Sequence, residues 1–190
     1  MRVYDGRQSL GDVRIKFRPA NSEYIEDVNL VILLMGVSGA GKTTVGELLA
    51  SQLACDFADG DDYHSPANIA KMRAGIPLTD ADREPWLDTL HALIARWVAA
   101  GKTAVLACSA LKQSYRDRLR IGPEVRIVYL RVSVPELRER LRLRTGHFMT
   151  AAMLDSQLAT LEEPGDAIQV DGDLPPEEIA VEIQKRLGLT

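Results

Sequence analysis

Short apolar segments alternate with longer amphipathic ones along most of the chain. Residues 29–35 are almost all apolar and are followed by glycine, a pattern typical of a strand buried on both faces of a parallel sheet. Residues 42–54 then carry apolar side chains at the spacing of an amphipathic helix. Four further short apolar segments predict strands at 54–58, 103–108, 125–132 and 167–170.

Polar residues between these segments predict where helices begin and end. Thr79 opens a helix with an acidic first turn, and Gly101 ends it. Ser133 and Glu136 have the spacing of a capping box, which predicts a helix to about residue 144. Other helices are predicted at 111–120, at 149–161 and from the prolines at 175 and 176. This alternation predicts an α/β fold, in which helices cover both faces of a parallel sheet.

The first 28 residues do not follow this alternation. Residues 4–17 have a weak hairpin pattern about Gly11 and Asp12. Two interpretations stay open for this segment: a loosely attached arm, or an added edge hairpin that could contact another subunit. We therefore predict an N-terminal extension over 1–28 and a single domain over 29–190.

Composition excludes several classes of protein. The 190-residue chain has a net charge of -4, which gives no electrostatic footprint for nucleic acid or an anionic membrane. Its apolar runs are too short to span a bilayer, and the N-terminus lacks the apolar core of a signal peptide. Cys55 and Cys108 have no metal-ligand spacing and are interpreted as reduced, buried thiols. We expect a cytoplasmic protein that binds any anionic ligand through local positive groups.

A glycine-rich sequence follows the first predicted strand. Residues 36–43, Gly-Val-Ser-Gly-Ala-Gly-Lys-Thr, match the spacing of a P-loop, in which glycines let backbone N–H groups approach phosphate oxygens. The ammonium group of Lys42 is expected to reach the β and γ phosphates, and the hydroxyl of Thr43 to bind Mg²⁺. The motif predicts that ATP is bound by Gly36, Val37, Ser38, Gly39, Ala40, Gly41, Lys42, Thr43 and Thr44.

Three carboxylates follow the second predicted strand, in the sequence Asp59-Gly60-Asp61-Asp62. Ligands of open parallel sheets bind beyond the carboxyl ends of the strands, so this turn is expected beside the transferred phosphate. One acid would orient Mg²⁺ through water, and another would accept the proton of a substrate hydroxyl. We assign Asp59 to the metal and Asp61 to the base. The reverse assignment stays open, as does a merely solvated turn.

Longer motifs resemble one enzyme family. The P-loop is followed by His-Ser-Pro-Ala-Asn-Ile-Ala-Lys-Met at 64–72, by Gly-Ile-Pro-Leu-Thr-Asp-Ala-Asp-Arg-Glu-Pro-Trp-Leu at 75–87, by Ser-Ala-Leu-Lys at 109–112 and by Gly-His-Phe at 146–148. From about residue 30 onward, the chain resembles the small gluconokinases, relatives of shikimate and adenylate kinases. The resemblance implies a P-loop NTPase fold like that of nucleoside monophosphate kinases. It also implies phosphorylation of the 6-hydroxyl of D-gluconate by ATP with Mg²⁺, and often a homodimer.

Such an acceptor carries one carboxylate and several hydroxyls, so its site needs a cation and polar partners. The candidates for substrate binding, besides Asp61, are His64, Arg73, Arg83, Ser109, Lys112, Arg116 and Gln157. Structural alternatives stay open for them: an ion pair for Arg83, an exposed basic face for Lys112 and Arg116, and helix capping for His64. Ser109 and Gln157 could equally have local or surface roles. Trp86 and Trp97 are interpreted as packing residues.

A basic helix precedes Gly146. Arg140 and Arg144 are four residues apart and share a helix face, although Glu136 could pair with Arg140. The resemblance implies a lid at about 140–150 that closes over ATP, with Arg140 on the nucleotide and Arg144 catalytic beside Lys42 and Asp61.

Two alternatives to gluconate phosphorylation stay open. One is a P-loop kinase of another small acid or sugar, such as shikimate, and the other is a non-catalytic nucleotide-binding module.

Overall fold

The chain forms a five-stranded sheet in a computed structural model that describes residues 29–143 and 151–189. The strands are β1 (Val31–Met35), β2 (Asp56–Asp59), β3 (Ala104–Cys108), β4 (Val125–Arg131) and β5 (Ile168–Asp171). They lie in the order β2-β3-β1-β4-β5, and every neighbouring pair is parallel. All five residues of the central strand β1 are buried, as the apolar run at its position predicts.

Helices cover both faces of the sheet. The α-helices of the described residues are α1 (Lys42–Gln52), α2 (Pro66–Arg73), α3 (Asp80–Ala99), α4 (Gln113–Leu119), α5 (Val134–Leu143), α6 (Ala151–Thr160) and α7 (Pro176–Leu187), and a short 3-10 helix covers Gly60–Tyr63. Ile32 and Leu34 of β1 point into a core shared with α1, α5, α6 and α7, while Leu33 points into a second core with α3 and α4. The predicted α/β architecture is therefore confirmed. Among the helices described, none has the length and apolar character to cross a membrane.

Two local predictions differ from the structure. The helix predicted from residue 111 begins at Gln113, because Lys112 keeps an extended backbone with φ of -91° and ψ of 149°. In the turn before it, Ala110 adopts a left-handed backbone with φ of 42°. Only one of the two hydrogen bonds of the predicted capping box forms: the Glu136 N–H donates to Ser133 Oγ over 3.4 Å. The carboxylate of Glu136 instead binds Arg140, over 2.7 Å.

The segments 1–28 and 144–150 lie outside the described residues. The N-terminal extension, the motif at 146–148, Arg144 and most of the expected lid are among them, so the assignments made for these residues stay predictions.

Arg116 is buried in α4, with only 1% of its surface exposed. Its Nη1 donates to the carbonyl oxygens of Ala110 and Leu111 over 3.0 and 2.9 Å, and its Nη2 donates to Gln113 Oε1 over 2.8 Å. The interpretations of Arg116 as a substrate ligand and as part of an exposed basic face are both wrong, because the guanidinium points into the protein. It stabilises the strained turn between β3 and α4 instead.

We expect Arg116→Met to lower the free energy of unfolding by about 2–4 kcal/mol, because it removes the donors of buried carbonyl groups. Urea unfolding measures this loss. Arg118→Met on the same helix is the matched control, since Arg118 pairs at the surface with Glu84 and Asp88 and should contribute about 1 kcal/mol or less. Equal losses in the two variants would contradict the role assigned to Arg116.

Candidate active site

The glycine-rich loop connects β1 to α1 and has the backbone that its sequence predicts. Gly41 precedes the first turn of α1 with φ of 88°, a conformation that residues with a side chain rarely adopt. At Gly36, a Cβ atom would lie 3.0 Å from the carbonyl oxygen of Leu130. Lys42 folds back over the loop, and its Nζ donates to the carbonyl oxygen of Val37 over 3.1 Å.

A hydrogen bond between the side chains of Thr43 and Asp59 connects the start of α1 to the acidic turn. Thr43 Oγ1 donates to Asp59 Oδ2 over 2.6 Å, and the backbone N–H of Asp61 donates to Asp59 Oδ1 over 3.0 Å. This neighbouring hydroxyl and carboxylate suit Mg²⁺, a hard cation that prefers oxygen ligands. Within the described residues, no group of three or more His, Cys, Asp or Glu side chains could hold a metal ion. Mg²⁺ would therefore depend on phosphate and water for its remaining ligands.

Two adjoining cavities open at this edge of the sheet. The first, the acceptor pocket, is lined by Ser38, Lys42, Asp61, His64, Met72, Pro77, Leu78, Arg83, Trp86, Ser109, Met153, Ser156, Gln157 and Thr160. The second, the phosphate pocket, is lined by Ser38, Gly39, Gly41, Lys42, Thr43, Thr44, Asp59, Asp61, Asp62, Ile69, Met72 and Arg73. Because Lys42 and Asp61 line both, a group passed between the two pockets would contact these two side chains.

The four predicted substrate cations separate in the structure. Arg83 lines the acceptor pocket, whereas Arg73 lines the phosphate pocket. Lys112 lines neither pocket, and its Nζ binds both carboxylate oxygens of Asp80 over 2.8 and 2.7 Å. The better interpretation of Lys112 is therefore a structural ion pair.

Arg83 keeps its position through contacts along its own helix and with α4. Its Nη1 donates to the carbonyl oxygen of Leu78 over 2.7 Å and lies 4.0 Å from Asp80 Oδ1. Its guanidinium carbon lies 5.9 Å from the centroid of the Tyr115 ring. The Asp80 carboxylate stays charged and is bound mainly by Lys112 and Tyr115, whose hydrogen bonds lower its pKa. Arg83 therefore brings a positive charge to the wall of the acceptor pocket.

His64 lines the acceptor pocket and does not cap α2, the next helix. Ser65 caps α2 instead, because its Oγ accepts from the Asn68 N–H over 3.2 Å. The His64 ring stacks on Trp86 with centroids 4.6 Å apart and planes 13° apart. Burial, and then the charge of Arg83, lower the pKa of His64 to about 4. Its Nδ1 atom is buried without a hydrogen-bond partner among the described residues.

Two helices reach the phosphate loop from the other side. On α6, Gln157 Oε1 accepts the backbone N–H of Ser38 over 2.7 Å. On α5, Arg140 binds Glu136 and donates to the carbonyl oxygen of Gly172 over 2.8 Å. A Cβ atom on Gly41 would lie 3.8 Å from Arg140 Nη1, so the guanidinium lies beside the loop as well as in the predicted pair.

Several pocket residues are missed by reasoning from motifs. Met153, Ser156 and Thr160 line the acceptor pocket together with Gln157. Their spacing of three or four residues places them on one face of α6, and this periodicity was the available signal. Met72 and Pro77 lie within the motifs at 64–72 and 75–87, but neither side chain carries a charge or a hydrogen-bonding group that would single it out.

The fold and the two joined pockets are those of a P-loop kinase. A family model described as an AAA domain matches residues 31–164. Gluconokinase of Gluconobacter oxydans (strain 621H) is 51% identical over 157 residues, which cover 80% of this chain and 88% of the relative. The chain therefore belongs to the gluconokinase family.

Solved structures agree with this assignment. An unliganded sugar kinase from Janibacter sp. HTCC2649 is 43% identical with a TM-score of 0.78, and the match covers 85% of this chain and 95% of that one. A gluconokinase from Sinorhizobium meliloti 1021 is 40% identical with a TM-score of 0.73, over 85% of this chain and 97% of that one.

Stability should depend on the protonation of His64. Its pKa of about 4 lies below the ordinary value of 6.5, so between these values the unfolded state binds more protons than the folded state. The contribution of neutral His64 is present above about pH 6.5 and is lost as pH falls toward about 4. Urea unfolding at about pH 7.5 and about pH 5 should show a smaller pH-dependent loss in His64→Phe, which keeps a ring against Trp86, than in the wild type.

His91→Gln is the matched control, because His91 lies exposed on α3. It should show the same pH-dependent loss of stability as the wild type. If His64→Phe and the wild type lose equal stability on acidification, the neutral state assigned to His64 is wrong.

Proposed function

We propose that the protein transfers the γ-phosphoryl group of ATP to the 6-hydroxyl of D-gluconate, giving 6-phospho-D-gluconate and ADP. The observation that carries this proposal is the acceptor pocket, in which Lys42, Asp61 and Arg83 face one cavity. Relatives named gluconokinase support the choice of acceptor.

The phosphate loop and Lys42 would bind the triphosphate, with backbone N–H groups and the start of α1 facing the anion. Thr43 and Asp59 would hold Mg²⁺, which when bound neutralises the charge on the phosphate oxygens. Arg73 lines the same pocket, so we assign it to phosphate rather than to the acceptor.

Arg83 would bind the carboxylate of gluconate, since a guanidinium suits a planar carboxylate. Neutral His64, together with Ser109 and Gln157, would pair with hydroxyls of the acceptor. The carboxylate of Asp61 would accept the proton of the 6-hydroxyl group, while the oxygen of that hydroxyl attacks the γ-phosphorus. ADP leaves with the bond between the γ-phosphorus and the β–γ bridging oxygen broken.

Three parts of this proposal rest on the resemblance to the family. They are the closure of Arg140 and Arg144 over ATP, the homodimer and the cytoplasmic location.

A coupled ADP-release assay with gluconate, shikimate, nucleoside monophosphates and no acceptor tests the reaction. We expect release only with gluconate.

Asp61→Asn should lose most of kcat while ATP still binds, because the amide cannot accept the hydroxyl proton. Lys42→Ala should weaken ATP binding itself. Release with another acceptor, or ATP binding without any release, would contradict the proposal in favour of another kinase or a non-catalytic module.

Arg83 and Lys112 form a matched pair of variants. Arg83→Met should raise the KM for gluconate by about tenfold or more, because a charged hydrogen bond to carboxylate contributes about 1.5–3 kcal/mol. The KM for ATP should hardly change. Lys112→Met should affect gluconate much less, because Asp80 already binds that ammonium group. Steady-state kinetics with both substrates varied will distinguish the variants, and equal effects would argue against Arg83 as the carboxylate ligand.

A further inference from the structure

Trp86 of α3 contacts the acidic turn through a buried hydrogen bond. Its indole is 2% exposed, and its Nε1–H donates to the carbonyl oxygen of Gly60 over 2.7 Å in a buried hydrogen bond. Gly60 is the residue between Asp59 and Asp61. The bond therefore fixes the peptide group that connects the proposed metal ligand to the proposed base.

The acidic turn also lies close against β3, which restricts its backbone. A Cβ atom on Gly60 would lie 3.0 Å from the carbonyl oxygen of Ala107, so the chain passes close against β3. Without the indole N–H, the carbonyl of Gly60 would lose its hydrogen bond to α3, and the 3-10 turn Gly60–Tyr63 would lose a buried contact that holds it in place. The turn would then be freer to move relative to α3.

The same tryptophan forms part of the acceptor pocket. Its ring stacks on His64, and it follows Arg83 by three residues, on the same face of α3. One helix face therefore carries the proposed carboxylate ligand and the group that fixes the acidic turn.

We infer that Trp86 is a positioning residue, whose indole N–H holds Asp61 in the orientation that phosphoryl transfer requires. This inference rests on the proposed function and goes beyond the packing role that the sequence suggests. It also gives this tryptophan a role that Phe cannot fill, since Phe has no N–H to donate.

Trp86→Phe tests the role, because it keeps an aromatic ring and removes the N–H. We expect kcat to fall by about tenfold or more, as small misplacements of reacting groups have effects of this size. The KM for ATP should stay within about twofold of the wild type, because the phosphate loop is untouched.

Trp97→Phe is the matched control. Trp97 is the other tryptophan of the chain, is also on α3 and is 7% exposed, and its indole donates to none of the described residues. It should lose thermal stability to a similar degree and keep kcat near that of the wild type. An equal fall of kcat in both variants, or no fall in Trp86→Phe, would overturn the inference.

Hydrogen exchange provides a readout that needs no acceptor. Exchange of the peptide covering 59–64 should quicken in Trp86→Phe and stay unchanged in Trp97→Phe. Unchanged exchange in both variants would also overturn the inference.

If the wild type does not phosphorylate gluconate, the proposed function fails. The kcat comparison is then made with whichever acceptor it phosphorylates, so the two failures remain distinguishable.

A second substitution covers the case in which Trp86→Phe does not fold. In the Trp97→Phe background, 3-benzothienylalanine at position 86 keeps the bicyclic ring and carries sulfur where indole has N–H. The same fall in kcat and faster exchange support the inference, and unchanged values overturn it.

Discussion

The parallel direction of β1, β2 and β3 is the constraint on which the whole site depends. Because the three strands are neighbours and run the same way, the chain segments that follow them emerge at one edge of the sheet. Those segments are the phosphate loop, the acidic turn and the loop that carries Ser109. No one of them forms a pocket alone. The sheet brings together a phosphate-binding backbone, a carboxylate and polar side chains that are far apart in the sequence.

Polar contacts, some of them buried, then fix each segment within that frame. The carboxylate of Asp59 is bound by Thr43 and by the N–H of Asp61, which connects the acidic turn to the start of α1. Trp86 binds the same turn from α3. Arg116 binds the carbonyl groups that follow Ser109. Since an unpaired polar group in the interior is costly, the buried contacts of Trp86 and Arg116 resist movement of the segments they hold.

Sequence reasoning succeeded where the determining pattern is local. Strand and helix order follows from apolar periodicity, and the phosphate loop follows from glycine spacing within eight residues. It failed where the determining fact is the direction of a side chain in three dimensions. Lys112 and Arg116 are four residues apart and suggest one basic face, yet α4 begins only after Lys112, and Arg116 is buried. Likewise, nothing local indicates that the ammonium group of Lys112 meets Asp80 from a distant helix.

The charges around the acceptor pocket also follow from this arrangement. A site for two anions in a chain of net charge -4 needs local positive groups, and many cations of this chain are already paired. Asp80 binds Lys112 over 2.8 and 2.7 Å, and Arg83, whose Nη1 lies 4.0 Å from the same carboxylate, lies on the pocket wall. A charged His64 beside it would add repulsion in a buried place, which is why burial and Arg83 lower the pKa of His64 to about 4. In the proposed reaction the neutral imidazole would pair with hydroxyls while Arg83 provides the charge, so hydroxyl recognition and carboxylate recognition would fall to different side chains.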